Sequence, residues 1–443
     1  MVYLFLTTLL LTIIAYYLNN KELIAPSFLF SISFLFASFF AYLNKNKWGD
    51  LLTSGVFWVI SLGILEFIIV CFIIRFVFQQ KRIQHQDIVS INESFLNSTG
   101  RQKLIAIEII QLFFIIMIIK EIKKVTGQSS LSVAINLLNY STNGFITADY
   151  SLPTYVTLMQ VFNLEFGIAG EYLFTKKLMI LKKFDVVLFI EALIGTMGPL
   201  LNGSRGGTIF GILTIIIFML MIQQNKSKWE NINKLKYIFY ILVGITGIML
   251  LLQWSATLVG RNVDSIKFID YISTYVGAEI KNLDLFINRA QFPINTDIFG
   301  KETFYPIITF LIKHAGLNMP LYDLDLPFQT ANGYGLGNVS TTFYQWLYDF
   351  GYRGIPILIF IMASVSEITY QISKKNNYKF APSAKLFYGG TLAPCIAFSF
   401  FSNKFYESMD IISLILMFMI WFISNWFFSS NMYIEDIRKN DIK

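Results

Sequence analysis

Long apolar runs alternate with shorter polar segments from one end of this chain to the other. A helix that crosses the hydrocarbon core of a bilayer needs roughly 20 residues, most of them apolar. Runs that approach this length predict eleven membrane-spanning helices, with ends defined to within a few residues. The predicted spans are Val2–Leu18, Leu23–Leu43, Val56–Phe78, Leu104–Ile119, Thr154–Phe174, Val186–Leu201, Thr208–Ile222, Tyr237–Leu252, Gly354–Ile372, Leu386–Ser402 and Ile411–Phe428.

This pattern predicts an all-α fold, a polytopic transmembrane helical bundle that forms a single integral membrane domain over residues 1–443. Two longer polar segments interrupt the series of predicted spans. One is Lys120–Pro153, which contains an amphipathic piece from Leu131 to Leu138. The other, residues 253–353, is too polar to span and is expected to form a large extracytoplasmic loop.

Composition agrees with a membrane protein. The chain is 55% hydrophobic and 17% aromatic, with a mean hydropathy of +0.57, well above what a soluble domain needs. The net charge of +7 comes largely from lysines in short loops, so it does not indicate a nucleic-acid partner. Cys71 and Cys395 lie in apolar runs, and no metal or nucleotide motif is present, so we expect no metal and no cofactor.

Basic residues predict the orientation. Lysine clusters at 176–183 and 226–236 flank two apolar runs, and short lysine-rich loops stay in the cytoplasm. The turn between those runs is therefore expected to lie on the opposite, outer side of the membrane. Eleven spans then place the N-terminus outside and the C-terminus in the cytoplasm. The expected location is the cytoplasmic (inner) membrane. The first run has no preceding basic residue, so it is interpreted as a retained span. Five lysines on the outer side are exceptions: Lys45, Lys47, Lys120, Lys123 and Lys124.

The turn Asn202–Gly207 holds one arginine among three glycines. Ser204, Arg205, Gly206 and Gly207 lie where the next span begins, so backbone N–H groups and the positive helix dipole are available there. A guanidinium adds planar, bidentate donors that suit phosphate. We interpret these four residues as a pyrophosphate-binding site, and the alternative is an arginine that snorkels to lipid headgroups.

Two further arginines on the outer side, Arg261 and Arg289, are candidates for the same anion. The surrounding loop is otherwise acidic, so ion pairing is the alternative explanation for each. For a general base the candidates are His314, because an unperturbed imidazole can take a proton near neutral pH, and Asp349 at the mouth of a span. The alternatives are a surface histidine and a carboxylate that stabilises a helix start.

Carboxylates also occur inside the predicted spans, where they are costly and often functional. Glu171 lies near an inner end, so solvation explains it. Glu165 and Glu191 lie deeper and have no such explanation. They would suit an ion-coupled transporter as well as an enzyme.

Three features give the chain a family resemblance: the Gly203–Gly206 turn before an apolar run, the segment Gly337–Thr342 leading into Asp349–Gly354, and Ala25–Ser27 opening the second span. With them the whole chain resembles the Wzy-type oligosaccharide repeat-unit polymerases, the O-antigen and capsule polymerase family. The motifs are short and carry no information about the sugar.

The resemblance implies a membrane glycosyltransferase that acts on polyprenyl-pyrophosphate-linked oligosaccharides at the outer face of the cytoplasmic membrane. It implies transfer of one repeat unit's reducing end to a hydroxyl of another, without an obligatory metal. Arg205 and Arg261 would then hold the pyrophosphate. Membrane lipid, a flippase and a chain-length regulator are the implied partners. Two other classes stay open: a polysaccharide flippase or transporter, and an O-antigen ligase-like transferase.

Overall fold

The computed structural model describes residues 1–80, 101–142, 146–148, 150–226, 247, 268–294, 297–374 and 381–429. Most of these residues lie in helices, and the described residues also form one two-stranded sheet. The helices are α1 (Val2–Leu18), α2 (Pro26–Leu43), α3 (Lys45–Trp48), α4 (Ser54–Gln80), α5 (Arg101–Thr126), α6 (Leu131–Thr142), α7 (Thr154–Lys176), α8 (Val186–Met197), α9 (Arg205–Lys226), α10 (Phe268–Val276), α11 (Ala278–Arg289), α12 (Tyr305–His314), α13 (Thr342–Ser373), α14 (Ala381–Phe387), α15 (Ala393–Ala397), α16 (Lys404–Glu407) and α17 (Ile411–Ser429). The strands are β1 (Gln329–Ala331) and β2 (Tyr334–Gly337).

Within the described part of the chain, four helices are long and apolar enough to cross a membrane: Pro26–Leu43, Ser54–Phe78, Arg205–Asn225 and Thr342–Ser373. Each coincides with a predicted span. Shorter apolar helices occupy Val2–Leu18, Val186–Asn202 and Ile411–Ile420. A mostly helical fold with helices of membrane-spanning length and apolarity is therefore confirmed. Apart from Gly247, the predicted span Tyr237–Leu252 lies outside the described residues.

Two predicted boundaries differ from the structure. The run Leu386–Ser402 is not one helix: α14 passes through a π-helical turn at Tyr388–Leu392 into the short α15, which ends at Ala397. Pro394 lacks a backbone N–H, so a regular helix cannot run through this segment. In contrast, α13 begins at Thr342, twelve residues before the predicted start at Gly354, and kinks at Gly351, whose φ is +60°.

The chain divides into two compact units. The first comprises Met1–Gln84, Ile266–Lys375 and Thr391–Leu414, and the second comprises His85–Ser265, Asn376–Gly390 and Ile415–Lys443. In the first unit, α13 packs along α4 and α1 packs against α2. Its aromatic core joins these helices: the rings of Phe30 and Phe67 stack with centroids 4.4 Å apart, and the rings of Phe34 and Phe343 lie 5.4 Å apart.

One end of the first unit carries the N-terminus together with residues from the polar segment 268–294. The Met1 ammonium donates to the Asp50 carbonyl at 3.0 Å. Thr53 donates through its backbone N–H and its hydroxyl to Asp284 Oδ1, at 2.8 and 3.0 Å. Lys47, an exception to the predicted charge distribution, forms an ion pair with Asp270.

The other end of the same unit holds a buried ionic cluster around Glu22. This carboxylate accepts from Arg75 at 2.9 Å, from Lys374 at 2.7 Å and from the Tyr370 hydroxyl at 2.8 Å. The connection between α1 and α2 and the last turns of α4 and α13 therefore meet there. The start of α1 and the polar segment lie at the opposite end, since α1, α4 and the part of α13 after Gly351 run in the same direction.

In the second unit, α7 and α8 cross in close contact. A Cβ added to Gly167 would lie 2.3 Å from the Gly195 Cα, so the two backbones touch at these glycines. The predicted amphipathic piece is helix α6, which packs with α5 and α7 in a cluster that includes Ile122, Leu138 and Val156.

Candidate functional site

The arginine turn lies in the second unit, at the start of α9. Ser204 is the N-cap, because its hydroxyl accepts from the Gly207 N–H at 3.3 Å. The Ser204 N–H in turn donates to the Pro199 carbonyl at 3.1 Å. An anion that uses the Gly207 N–H would have to displace the exposed Ser204 hydroxyl.

The three glycines of the turn have different surroundings. Gly203 has a left-handed backbone with φ +68°, and a Cβ there would lie 2.8 Å from the Asn139 Cβ. A Cβ on Gly207 would lie 2.5 Å from the Pro199 Cβ, so this glycine is required by packing. Gly206 has no atom within 4 Å of the position of a Cβ. Among the three, Gly206 is the position where a ligand can approach the backbone.

Arg205 is buried, with 8% of its surface exposed. Burial does not fit an arginine that extends freely into lipid headgroups, because snorkelling keeps the charged group in water. A guanidinium is expensive to bury and is normally kept where it is paired or has a function. The turn therefore holds a buried arginine next in sequence to the open backbone of Gly206.

Buried carboxylates lie deeper in the second unit, between α7 and α8. Glu191 is fully buried, and neither of its carboxylate oxygens has a hydrogen-bond partner among the residues that the structure describes. Glu171 is 1% exposed and accepts from the Thr196 hydroxyl at 2.6 Å. The solvation predicted for Glu171 is therefore wrong, because the close approach of α7 and α8 covers it. Glu165 is also buried.

Asp349 lies in the first unit, two residues before the kink of α13. Its carboxylate accepts from the Glu302 N–H at 3.1 and 3.0 Å and from the Thr303 N–H at 2.6 Å. Asp349 thereby ties the turn at 302–303 to α13. A carboxylate that is 7% exposed and fully engaged with the backbone is well placed to hold this segment, and its role as a base stays a prediction.

Glu302 is a candidate that the sequence did not single out. Its side chain is fully buried, Oε2 accepts from the Asp325 N–H at 3.1 Å, and Oε1 has no hydrogen-bond partner. The pKa of Glu302 is raised to about 7, mainly by burial; the hydrogen bond from the Asp325 N–H offsets part of the rise, and the nearby carboxylates of Asp349 and Asp325 add to it. A carboxyl group with such a pKa can exchange a proton near neutral pH. Only the folding of the loop around Glu302 creates this property.

His314 is the last residue of α12 and is exposed. Its ring lies 5.1 Å from the Phe310 ring. None of the described hydrogen bonds or ion pairs joins His314 to Asp349, so the structure does not unite the two predicted bases. Arg261 lies outside the described residues.

Arg289, at the end of α11, is exposed and donates from Nη1 to Gln329 Oε1 at 3.1 Å. Gln329 lines a small cleft between α11, the strand β1 and the start of α13. The other polar side chains lining this cleft are those of Asn282, Asn338, Ser340 and Tyr344. Arg289 thus positions a residue of an uncharged cleft that the sequence did not reveal.

The structure therefore separates the predicted residues into two groups. Ser204, Arg205, Gly206 and Gly207 form one turn in the second unit, whereas Arg289, His314 and Asp349 belong to the first. Comparison with protein-family models, curated proteins and solved structures finds no match for this chain.

Proposed function

We propose that this protein is a membrane glycosyltransferase that polymerises polyprenyl-pyrophosphate-linked oligosaccharide repeat units into a surface polysaccharide, O-antigen or capsule. One observation carries the proposal: a buried arginine, Arg205, begins a helix long enough to cross a membrane, beside the open backbone of Gly206. That arrangement suits a diphosphate attached to a lipid, because the anion meets the helix start while the polyprenyl chain stays in the bilayer.

The chemistry follows from where charge develops. A hydroxyl of the acceptor repeat attacks the anomeric carbon of the donor, the bond from that carbon to the pyrophosphate oxygen breaks, and polyprenyl pyrophosphate leaves. Arg205 and the N-terminus of α9 stabilise the charge on the leaving group. A base takes the proton of the attacking hydroxyl. His314 and Asp349 are the predicted bases, and the raised pKa of Glu302 makes it a third candidate.

The proposal includes eleven spans in the cytoplasmic membrane, with the N-terminus and the loop 253–353 outside and the C-terminus in the cytoplasm. Three ion pairs support the arrangement in the first unit. Lys47 pairs with Asp270, which accounts for a lysine on the outer side. Arg75 and Lys374 pair with Glu22 at the opposite end, where the predicted cytoplasmic loops meet. A flippase and a chain-length regulator are the proposed protein partners.

The test is the length of surface polysaccharide in cells whose only copy of the protein carries Arg205→Ala. Removing one donor from a preorganised anion site costs roughly 10²–10³ in rate, so single repeat units are expected in place of long chains. Arg353→Ala is the matched control, because Arg353 is an exposed arginine on another long apolar helix. Immunoblots of membranes establish that each variant is present.

A polysaccharide transporter is the second candidate, and a specific observation favours it. Glu191 is fully buried between α7 and α8 with both carboxylate oxygens unpartnered, as expected of a proton-binding group inside a membrane. The two functions differ in what their loss leaves behind. A defective transporter exports nothing, whereas a defective polymerase leaves single repeat units on the surface.

A further inference from the structure

Helix α12, in the polar segment of the first unit, is apolar on every side. Of the residues from 307 to 312, only Thr309 is polar. These residues make more than one and a half turns of helix, so they leave no polar face. A helix that is apolar all round is normally covered, either by a protein core or by lipid.

Neither a protein core nor a membrane crossing accounts for α12. Within the described part of the chain, Ile308 is the one residue of α12 that is fully buried. The side chains of Ile307, Phe310, Leu311 and Ile312 stay partly exposed. At 1.5 Å per residue, the 10 residues of α12 extend over about 15 Å, half of the hydrocarbon core of a bilayer. The helix is therefore too short to cross a membrane and too exposed for a core helix.

Apolar side chains next to α12 are exposed as well. They are Phe299, Leu317 and Leu321, and Phe299 is 81% exposed. The Leu317 N–H donates to the Leu311 carbonyl at 3.2 Å, at the end of the helix. The chain then returns to the start of α12, where the rings of Tyr305 and Tyr322 lie 5.4 Å apart. The exposed Phe299, Leu317 and Leu321 and the partly exposed apolar residues of α12 are together called the α12 surface.

Aromatic residues mark the membrane boundary at this end of the first unit. Tryptophan and tyrosine concentrate where a membrane meets water, and Trp58 of α4 and Tyr352 of α13 are both exposed. They lie at the same level, because a Cβ on Gly55, one turn before Trp58, would lie 3.4 Å from the Tyr352 hydroxyl. Further along α13, Ile357 is exposed, as expected of a residue that faces lipid.

Helix α12 begins at this boundary. Phe350 lies two residues before Tyr352, and its ring centroid is 5.0 Å from that of Phe299 and 6.0 Å from that of Phe304. Phe304 is the residue at which α12 starts. The α12 surface is therefore continuous with the boundary that Trp58 and Tyr352 mark on the two long apolar helices.

We propose that α12 lies in the membrane–water boundary beside α4 and α13, with the α12 surface against the bilayer. Short apolar helices that lie in the plane of the boundary bury their side chains among the headgroups and the first part of the acyl chains. Lys313 and His314, exposed at the end of α12, then reach the headgroups. The docked helix anchors the polar segment to the membrane. This inference goes beyond the proposed function and does not depend on it.

The experiment measures the depth of spin labels by electron paramagnetic resonance, on the full-length protein in nanodiscs of phosphatidylethanolamine and phosphatidylglycerol. The labels are placed by Leu311→Cys, Leu317→Cys and Leu321→Cys. Cys71 and Cys395 are the two cysteines of the chain and both are buried, so the introduced thiol is the one that reacts. Wild-type protein treated with the same label measures any background. Oxygen, which concentrates in the bilayer, is expected to collide with these labels more often than a water-soluble nickel complex does.

Two control positions calibrate the result. Asp323→Cys places a label on an exposed polar residue of the same segment, where the nickel complex should collide more often. Ile69→Cys places one on an exposed position in the middle of α4, where oxygen should dominate. The oxygen-to-nickel ratio at the α12 surface is expected to fall between these two. If Leu311→Cys folds poorly, Leu317→Cys and Leu321→Cys remain, because both side chains are exposed and their replacement removes little packing.

The proposal is overturned if the three labels give the same ratio as Asp323→Cys, because the α12 surface then faces water. It is also overturned if neither reagent reaches the labels, since a protein partner or a second copy of the chain then covers the surface. Both results are separate from the fate of the proposed function. Polysaccharide length in Arg205→Ala cells does not change the depth of α12.

Discussion

Replacing Glu302 by glutamine tests the electrostatics of the folded polar segment between α11 and α13. The carboxyl is fully buried, one oxygen has no partner, and the Asp325 and Asp349 carboxylates lie near it. Burial raises the pKa of Glu302 from 4.5 to about 7, so the folded protein holds this proton more tightly than the unfolded chain does. Glutamine keeps the shape and an acceptor oxygen for the Asp325 N–H but has no charge to bury.

The difference between the pKa of Glu302 in the folded and unfolded states sets the size of its effect on the free energy of unfolding. Below pH 4.5 the group is protonated in both states and imposes no charge on the fold. As the pH rises to about 7, the unfolded state gains stability by ionising first, so the folded protein loses stability. The free-energy cost of Glu302 is less than about 1 kcal/mol at pH 5 and reaches about 3 kcal/mol at pH 8. Glu302→Gln removes this cost.

The assay is thermal unfolding of purified protein in detergent at pH 5 and pH 8. The advantage of Glu302→Gln over the wild type is expected to be small at pH 5 and several degrees at pH 8. Asp323→Asn is the control: its side chain is exposed in the same segment, so the substitution relieves no buried charge. An equal effect of Glu302→Gln at both pH values would refute the reasoning, because a pH-independent change reflects packing alone.

Two further predictions concern the second unit. Gly195→Ala is expected to lower the midpoint of thermal unfolding, since its Cβ would lie 2.5 Å from the Gly167 Cα and overpacking costs about 1–3 kcal/mol. Gly198→Ala, where no atom lies within 4 Å of the added Cβ, should be tolerated, and equal effects of the two would contradict the close crossing. Glu191→Gln is expected to leave polysaccharide of normal length, whereas complete loss of export would favour a transporter.

The membrane helices were predictable because their signal is local. Length and apolarity alone place Pro26–Leu43, Ser54–Phe78 and Arg205–Asn225 within a few residues of the predicted spans. The amphipathic period of Leu131–Leu138 likewise indicated the helix that became α6. The early start of α13 escaped detection because its first turns contain Gln345 and Asp349, which interrupt the apolar run.

The candidate sites also differ in whether their signal is local in the sequence. The arginine turn could be predicted because its glycines, serine and arginine are adjacent in sequence. The cleft could not be predicted, because Asn282 and Ser340 are distant in the chain and meet only when the polar segment folds onto the helices. Burial of Glu302 depends equally on contacts from elsewhere, so hydropathy assigned it to an exposed loop.

The most direct measurement of the central claim compares Arg205→Lys with Arg205→Ala in the surface polysaccharide assay. Lysine keeps the charge but lacks the planar, bidentate donors of arginine. The account predicts long chains in the wild type, shorter chains with lysine and single repeat units with alanine, at equal protein levels. Long chains of unchanged length in Arg205→Ala would contradict it.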